Sequence, residues 1–363
     1  MATKVPAELI SDQVFGRRRL NINGDMRIAQ RGTKTNMQNG YGGPDRMPLI
    51  SSALGVYTLS QSSGSPNGFA KSFQVTTTTA NTSPASSAYA ILQYRFEGND
   101  LASLKWGTSD AEQLTVSFWV KTNKTGNYNL ELYQLDNSSN YFANKQYTVS
   151  SADTWEKKVI TFPAGNNVAI PLDDTNALNV NFWLGAGTNY TSGSASDGNF
   201  HSTHADRAAG NVNLADSTSN TFRLTGVQVE IGDQATPFEY LTIAEELQAC
   251  KRYFERLNYV DVSVAVVGNA HSSGQSAFAP ISWLVEKRTI PSVGLSGSGQ
   301  TSGTFSFLTS AGGYPSTTGT NSAAQINTHQ CRINGSSYSG LTDNTITTLY
   351  ATGASFIDID AEV

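Results

Sequence analysis

Charge is scarce in this chain: Asp, Glu, Lys and Arg make up 15% of its 363 residues, against roughly 25% in an ordinary soluble protein. Basic blocks are missing too, because 24 Lys and Arg are dispersed among 29 Asp and Glu, leaving a formal charge of −5. Such a surface is poorly suited to neutralising a run of phosphates, so no nucleic acid is expected as a partner. Long apolar runs are also absent. Nothing approaches the ~18 residues of a membrane span, and no membrane insertion is expected. The opening MATKVPAELISDQVF carries Pro6 and Glu8 where a signal peptide needs a long apolar core, so synthesis in a cytoplasm without export by the usual route is expected. The two cysteines, Cys250 and Cys331, lie in segments of different character. They cannot build a disulfide scaffold or a Cys-rich metal site, and burial in the reduced state is the reading for both.

What the chain has in quantity is Gly, at 32 residues, together with Ser, Thr and Asn, a profile that argues against an all-helical fold. Short apolar or alternating segments separated by polar turn clusters recur along its first two thirds. Residues 69–76, 88–96, 114–120, 128–135, 141–149, 154–162, 178–184 and 221–231 read as strands, being rich in β-branched and aromatic side chains. In 114–120, Leu114, Val116, Phe118 and Val120 fall on one sheet face and Trp119 on the other. In 221–231 the alternation breaks once, at Gly226; a β-bulge there returns Val227, Val229 and Ile231 to the core face. Strands at this spacing without intervening helices indicate an antiparallel sandwich or jelly roll. Two stretches, 31–65 and 185–220, read as long loops, the usual location of binding surfaces.

Residues 242–257 read as the one helix. Thr242 and Glu245 form a capping box, Glu245 and Glu246 sit at the positive end of the dipole, and Lys251, Arg252 and Arg256 near the negative end. Ile243, Leu247, Cys250, Phe254 and Leu257 step by four, three, four and three, a heptad seam two repeats long. That seam either packs on the preceding sheet or contributes to a homo-oligomer axis. Beyond it, strands are expected at 259–267, 276–284, 304–308, 325–333, 345–350 and 354–359, with Gly/Ser/Thr stretches between. The fold class is therefore all-β: a jelly-roll β-sandwich at 19–241, one short helix at 242–257 and a smaller C-terminal β domain at 258–363, preceded by an arm at 1–18.

Catalytic constellations are few. His201 and His204, with Asp197 and Asp206 nearby, have the chemistry of a divalent-metal site, yet they stand in a polar loop without a second cluster. Asp173, Asp174, Glu97 and Asp100 offer oxygens of the kind calcium takes, and solvated loop carboxylates are the simpler reading. Neither a G-x-S-x-G elbow nor a Gly-rich phosphate loop is present. No catalytic residue, metal or cofactor is assigned, and the chain is not read as an enzyme. For binding, loop aromatics are informative, because a sugar presents C–H faces that stack on rings while its hydroxyls seek amides and hydroxyls. Tyr190 and Phe200 in the 185–220 stretch, and Tyr314 and Tyr338 in the C-terminal domain, are the candidate glycan contacts.

The segment NINGDMRIAQRG at 21–32 resembles the opening of a module found in bacteriophage tail-fibre and related virion proteins. Agreement continues through YGGPDRM at 41–47, LKWGT at 104–108, VSFWVK at 116–121, TWEK at 154–157 and GVQVEIG at 226–232. It is most specific in ATPFEY at 235–240, followed by Glu245, Glu246, Leu247, Cys250, Lys251, Arg252 and Tyr253. The resemblance covers residues 19–257 in order, with one departure: Met47 stands where the family usually has Trp after Asp-Arg. It implies a carbohydrate-binding-module-like jelly roll in a virion structural protein, assembled in the host cytoplasm. The helix seam and the resemblance together imply a homotrimer; the arm, whose short apolar segment at 4–10 is too small to fold alone, is expected to join another virion protein, and the C-terminal domain at 258–363 is expected to face the host and its surface glycan. The alternatives are a capsid decoration or tail-tip component without a receptor role, and a polysaccharide-degrading tailspike.

Overall fold

A computed structural model describes residues 17–135, 141–259, 264–271, 276–297, 305–309, 320–336, 346–351 and 355–362. The chain divides into two compact units, residues 1–246 and 247–362.

The first unit contains β1 (Lys34–Met37), β2 (Asn39–Gly40), β3 (Leu49–Ser52), β4 (Val56–Ser62), β5 (Ser72–Thr79), β6 (Tyr89–Glu97), β7 (Leu114–Thr122), β8 (Gly126–Gln134), β9 (Tyr141–Val149), β10 (Glu156–Phe162), β11 (Asn176–Ala186) and β12 (Thr221–Ile231). They form two six-stranded sheets, β1-β4-β5-β12-β7-β10 and β2-β3-β6-β11-β8-β9, in which every pairing is antiparallel. The all-β sandwich expected from the strand spacing is thus what forms. Alternation decides which side chains meet between the sheets: Leu114, Val116, Phe118 and Val120 of β7 are all fully buried and share one core with Leu178, Val180, Phe182 and Leu184 of β11. Rings set the thickness of this core, with Phe118 edge-on to both Phe182 and Tyr147 at 5.1 Å.

The bulge in β12 is present. Register shifts between Thr225 and Gln228, Gly226 takes φ 60°, and Val227 and Val229 return to the core with Ile231 packed against it. A Cβ at Gly226 would stand 2.6 Å from the Phe69 ring and 3.0 Å from Trp119, so both the left-handed backbone and the close approach require glycine here.

One reading needs correction. The stretch 31–65 is not a loop; it carries β1 to β4. Leu49, Tyr57 and Leu59 are fully buried in it, but the Ser, Thr, Gln and Gly around them dilute the apolar signal. The other stretch, 185–220, does connect β11 to β12 without a strand, although it holds a single-turn helix, α1 (Thr188–Thr191), and two 3-10 turns.

The helix is shorter than its sequence pattern: α2 spans Ile243–Lys251, and Phe254–Tyr259 is a strand, β13. The capping box is made, with Thr242 N donating to Glu245 Oε2 at 2.8 Å and Glu245 N to Thr242 Oγ1 at 3.3 Å. The five-residue seam is therefore not one helical stripe. Ile243 is 52% exposed, Leu247 is half-buried and Cys250 is buried, while Phe254 and Leu257 lie three apart on a strand and so on opposite faces. Arg256, placed by the sequence at the helix end, instead makes a bidentate pair with Asp358 across the sheet, both bonds 2.7 Å. β-Pairing with the strand 355–360 overrides the helical periodicity after Lys251.

The second unit adds β14 (Val264–His271), β15 (Ser276–Ser282), β16 (Ser292–Gly297), β17 (Phe305–Thr309), β18 (Thr320–Ala324), β19 (Gln330–Ser336), β20 (Ile346–Ala351) and β21 (Ser355–Asp360). Among the described residues they form a β13-β21-β16 sheet and a β17-β20-β14-β15-β19-β18 sheet around Ile281, Phe307, Ile333, Leu349, Ile357 and Ile359. Strands β16 and β18 fall in stretches read as Gly/Ser/Thr connections. Cys250 and Cys331 are both buried and form no disulfide, and burial pushes the Cys331 thiol up to about 11.

Gly226→Ala is expected to lower the unfolding free energy by about 3 kcal/mol, the sum of a left-handed-backbone penalty and ring displacement. Gly32→Ala, with φ 65° but nothing within 4 Å of the added carbon, is expected to lose only about 1 kcal/mol. Urea denaturation of the two variants separates the backbone effect from the packing effect.

Candidate functional site

The outer face of the β2-β3-β6-β11-β8-β9 sheet does not look like a solvated surface. Side chains pointing away from the core alternate with Leu92, Val180 and Leu132, and they include Gln93 on β6, Asn181 on β11, Glu131 on β8 and Asn144 on β9. These four stand directly opposite one another in the register, and all are buried, Gln93 at 6% exposure and the others at none. Buried polar groups at such positions need hydrogen-bond partners. Gln93 Nε2 donates to Asn181 Oδ1 at 2.8 Å, and Asn181 Nδ2 donates to Glu131 Oε2 at 2.7 Å.

The carboxylate at the centre of this ladder is neutralised from outside the sheet. Arg207, in the segment between α1 and β12, donates Nε to Glu131 Oε1 at 2.6 Å and Nη2 to Oε2 at 3.0 Å. Burial alone would lower the Arg207 pKa, but the facing Glu131 charge and its hydrogen bonds hold it above the ordinary arginine value. Aromatic rings surround the guanidinium: Phe142 at 3.9 Å, Tyr133 at 4.9 Å, Trp183 at 5.3 Å and Tyr190 at 5.8 Å from their centroids. Amides on the sheet fasten the same segment, with Asn144 Nδ2 donating to Asp206 O at 2.9 Å and Asn129 Nδ2 to Ala209 O at 3.1 Å.

Beside the ladder lies a cavity of about 190 Å³ lined by Tyr89, Gln93, Tyr133, Asn181, Trp183, Tyr190 and Arg207, together with Ile50 and Ile91. Tyr89 meets Tyr190 edge-on at 5.6 Å and Trp183 at 6.3 Å. Burial raises the pKa of the Tyr133 and Tyr190 hydroxyls, so both remain protonated donors at neutral pH. Trp183 is 1% exposed, and its sealed Nε1–H has no partner. A cavity of this size has room for one ring-sized group, and its lining combines ring faces with amide, hydroxyl and guanidinium groups.

Of the candidate contacts, Tyr190 belongs to this cavity. Phe200 does not: its ring is edge-on to Trp106 at 5.2 Å and packs against the main core. Tyr314 and Tyr338 lie outside the described residues. His201 and His204 are tied into the fold, His201 Nε2 bonding Asn144 Oδ1 at 2.8 Å while the His204 ring rests on Phe142 at 4.9 Å. Asp206 Oδ1 takes Ser194 N at 2.8 Å and Asp197 caps Asn199, so the four do not converge. Asp173 Oδ1 accepts from both Thr175 N and Oγ1. Among the described residues no group of three or more His, Cys, Asp and Glu is placed to hold a metal.

Tyr89, Gln93, Glu131, Tyr133, Asn181, Trp183 and Arg207 were not singled out from the sequence. Their signal is there: on three paired strands the positions between apolar residues are amides, rings and one carboxylate, where a solvated face would carry Lys, Thr and Ser.

No family model matches the chain, and no curated protein matches it. Among solved structures, the enzymatically active domain of tailspike protein 4 of bacteriophage CBA120 is similar over 51% of this chain and 19% of that one, at 12% identity and a TM-score of 0.30. This chain therefore spans about a fifth of that protein's length. A family 11 carbohydrate-binding module from Clostridium thermocellum, in complex with a beta-1,3-1,4-mixed-linked tetrasaccharide, is similar over 56% of this chain and 98% of that one, at 13% identity and a TM-score of 0.29. A putative sugar binding protein from Bacteroides thetaiotaomicron is similar over 59% of this chain and all (100%) of that one, at 10% identity and a TM-score of 0.30.

Glu131→Ala leaves the Arg207 charge buried among rings without a counter-ion, and is expected to destabilise the first unit by about 3 kcal/mol. Thermal unfolding monitored by tryptophan fluorescence reads the loss.

Proposed function

We propose that the first unit is a glycan-binding module that works from the outer face of its β2-β3-β6-β11-β8-β9 sheet. We further propose that the chain is a phage tail-fibre or tail-associated structural protein that adheres to the host surface. The observation that carries the first part is the cavity itself, in which Tyr89, Tyr133, Trp183 and Tyr190 gather beside Gln93, Asn181 and Arg207. Apolar ring faces next to fixed donors are what a pyranose requires, since its C–H face stacks while its hydroxyls accept and donate. The second part is supported by the resemblance of residues 19–257 to virion modules.

A cavity with room for one ring makes a weak site. Adhesion then comes from several copies engaging together, where each further contact is intramolecular and raises avidity without tighter chemistry. A homotrimer, a closed symmetric assembly, meets that need. Residues 1–18 serve as the arm that joins another virion protein; of these, 1–16 lie outside the described residues.

Tyr133→Ala and Tyr190→Ala are each expected to weaken retention by host-surface polysaccharide about fivefold, corresponding to about 1 kcal/mol per ring; each also lowers the melting temperature, because both rings rest on the Arg207 guanidinium, so retention is compared at a temperature where both variants are folded. Affinity electrophoresis in polysaccharide gels reads the effect; undiminished retention of both variants overturns the site, and release of reducing sugar by the native chain would make it a hydrolase instead. Sedimentation of the full chain at micromolar concentration is expected to give a trimer, and deletion of residues 1–16 is expected to leave a folded protein that no longer enters virions.

A further inference from the structure

The second unit carries a cavity of its own. It measures about 540 Å³, within the range of small-molecule sites, and is lined by Arg332, Phe278, Asn269, Gln325, Asn327 and Gln330 among others. It lies on the face of the β17-β20-β14-β15-β19-β18 sheet opposite the core: Arg332 pairs with Pro280 on β15 and Ala324 on β18, while the neighbouring Cys331 and Ile333 point inward.

Arg332 is the unusual member. Among the described residues it forms no ion pair and no side-chain hydrogen bond; its guanidinium rests on the Phe278 ring at 5.3 Å, and its Nε is sealed from solvent without a partner. Arg256 and Arg288 in this unit are engaged by contrast, Arg256 with Asp358 and Arg288 with the Ala361 and Glu362 carbonyls. Two residues further along the same face, Asn334 Oδ1 is a second buried polar atom without a partner. A cation partly removed from water and without a counter-ion is electrostatically unfavourable, and an anion arriving at its free edge relieves that penalty.

The rim defines the anion. Side-chain nitrogens of Asn269, Gln325, Asn327 and Gln330 have no hydrogen-bond acceptor among the described residues, and Asn327 is fixed by its Oδ1, which accepts from His329 N at 2.8 Å and Gln330 N at 2.9 Å. Gln325 is held at φ 49°, in the left-handed region that a residue of its kind rarely adopts. Apolar surface is supplied by Val267, 58% exposed, and by Phe278 and Pro280. Among the described residues Arg332 is the single charged one in the lining, so the cavity suits one isolated negative charge set among hydroxyls rather than a polyphosphate. A planar guanidinium edge takes a carboxylate in a bidentate fork.

We propose that this cavity is a second glycan subsite, separate from the one on the first unit, and that it takes a sugar bearing a ring carboxylate, with Arg332 as its anchor. Uronic acids and sialic-type acids share that chemistry.

The test uses the full chain and immobilised oligosaccharides: oligogalacturonate, a glucuronate-containing oligomer, a sialylated oligosaccharide, and the methyl ester of each. Retention of at least one acid is expected, with about a tenfold loss on esterification and about a tenfold loss on Arg332→Gln, one charge-assisted contact in each case. Which acid is retained distinguishes the uronic from the sialic source. Arg332→Gln removes no protein hydrogen bond, and its melting curve is expected to superpose on the native one; the ester comparison needs no variant at all. Retention of esters as strongly as acids, failure to retain any acid, or acid binding unaffected by Arg332→Gln each overturns the proposal. So does a change of sedimentation state in Arg332→Gln with glycan retention intact, which would make this face a contact between copies of the chain. Neutral-glycan retention that depends on Tyr133 and Tyr190 is read in the same experiment and stands or falls independently.

Discussion

The outer face of the second sheet depends on one ion pair, Glu131 with Arg207. A carboxylate in the middle of a four-strand polar row, wholly out of solvent, costs several kcal/mol unless a counter-charge and further donors meet it. None of the strands in that row supplies the counter-charge, so it must be brought by the connection between β11 and β12. That requirement pulls the segment down onto the sheet, where backbone carbonyls of Asp206 and Ala209 are caught by the amides of Asn144 and Asn129. Tyr190, carried on the same segment, is thereby set against Tyr89 and Trp183. The cavity is thus tied to the neutralising of a buried charge: the connection that delivers Arg207 also sets Tyr190 against the strand-borne Tyr89 and Trp183. Rings around the pair also exclude water, which strengthens the attraction that assembles them.

The fold was far more legible than the site, for reasons visible in single strands. In β7 the apolar residues occupy every second position and the polar ones between them are Thr, Ser and Lys, so period two is unmistakable; β12 shows its bulge because only Gly226 interrupts an otherwise regular alternation. β4 escaped notice because Tyr57 and Leu59 are its only large buried side chains and the remainder reads as turn chemistry. The helix was overextended because Phe254 and Leu257 continue a heptad spacing that pairing with β21 overrides, a tertiary effect that local periodicity does not contain. The site was missed for a different reason. Its residues lie on four strands and one long connection, so no window of sequence holds more than two or three of them, and Arg207 is 76 positions from its partner. Only Tyr190 advertised itself, as a ring in a Ser/Thr/Gly context.

The residues that carry the resemblance to virion modules are not those that line the cavity. They build a clamp. Asn21 stands in for a strand, its Oδ1 accepting from Val229 N at 2.9 Å and its Nδ2 donating to Val227 O at the same distance. Asn23 does likewise for a turn, bonding Ile28 through both ends of its amide. Glu239 accepts from the backbone of Arg18 and Arg19, Gln228 Oε1 accepts from Glu239 N, and Phe238 packs with Phe69 and Tyr240. Clamp and cavity therefore use separate sets of residues, which lets one vary while the other stays intact.

That clamp closes on itself through a second buried pair. Arg19 and Glu246, neither with any exposed side chain, are joined, and the other oxygen of Glu246 accepts from Asn23 N at 2.7 Å. Residues 18–23 and 239–246, which are the two places where the described chain enters and leaves the first unit, are thus bolted together directly. A tensile load applied between these two points runs through that short junction and bypasses the sandwich. The sheets need not bear the strain, and the cavity on their outer face keeps its shape while the chain is pulled. Failure under force would begin with the Arg19 to Glu246 contact and the side-chain bonds of Asn21, leaving the hydrophobic core and the ring-lined face as the last parts to yield.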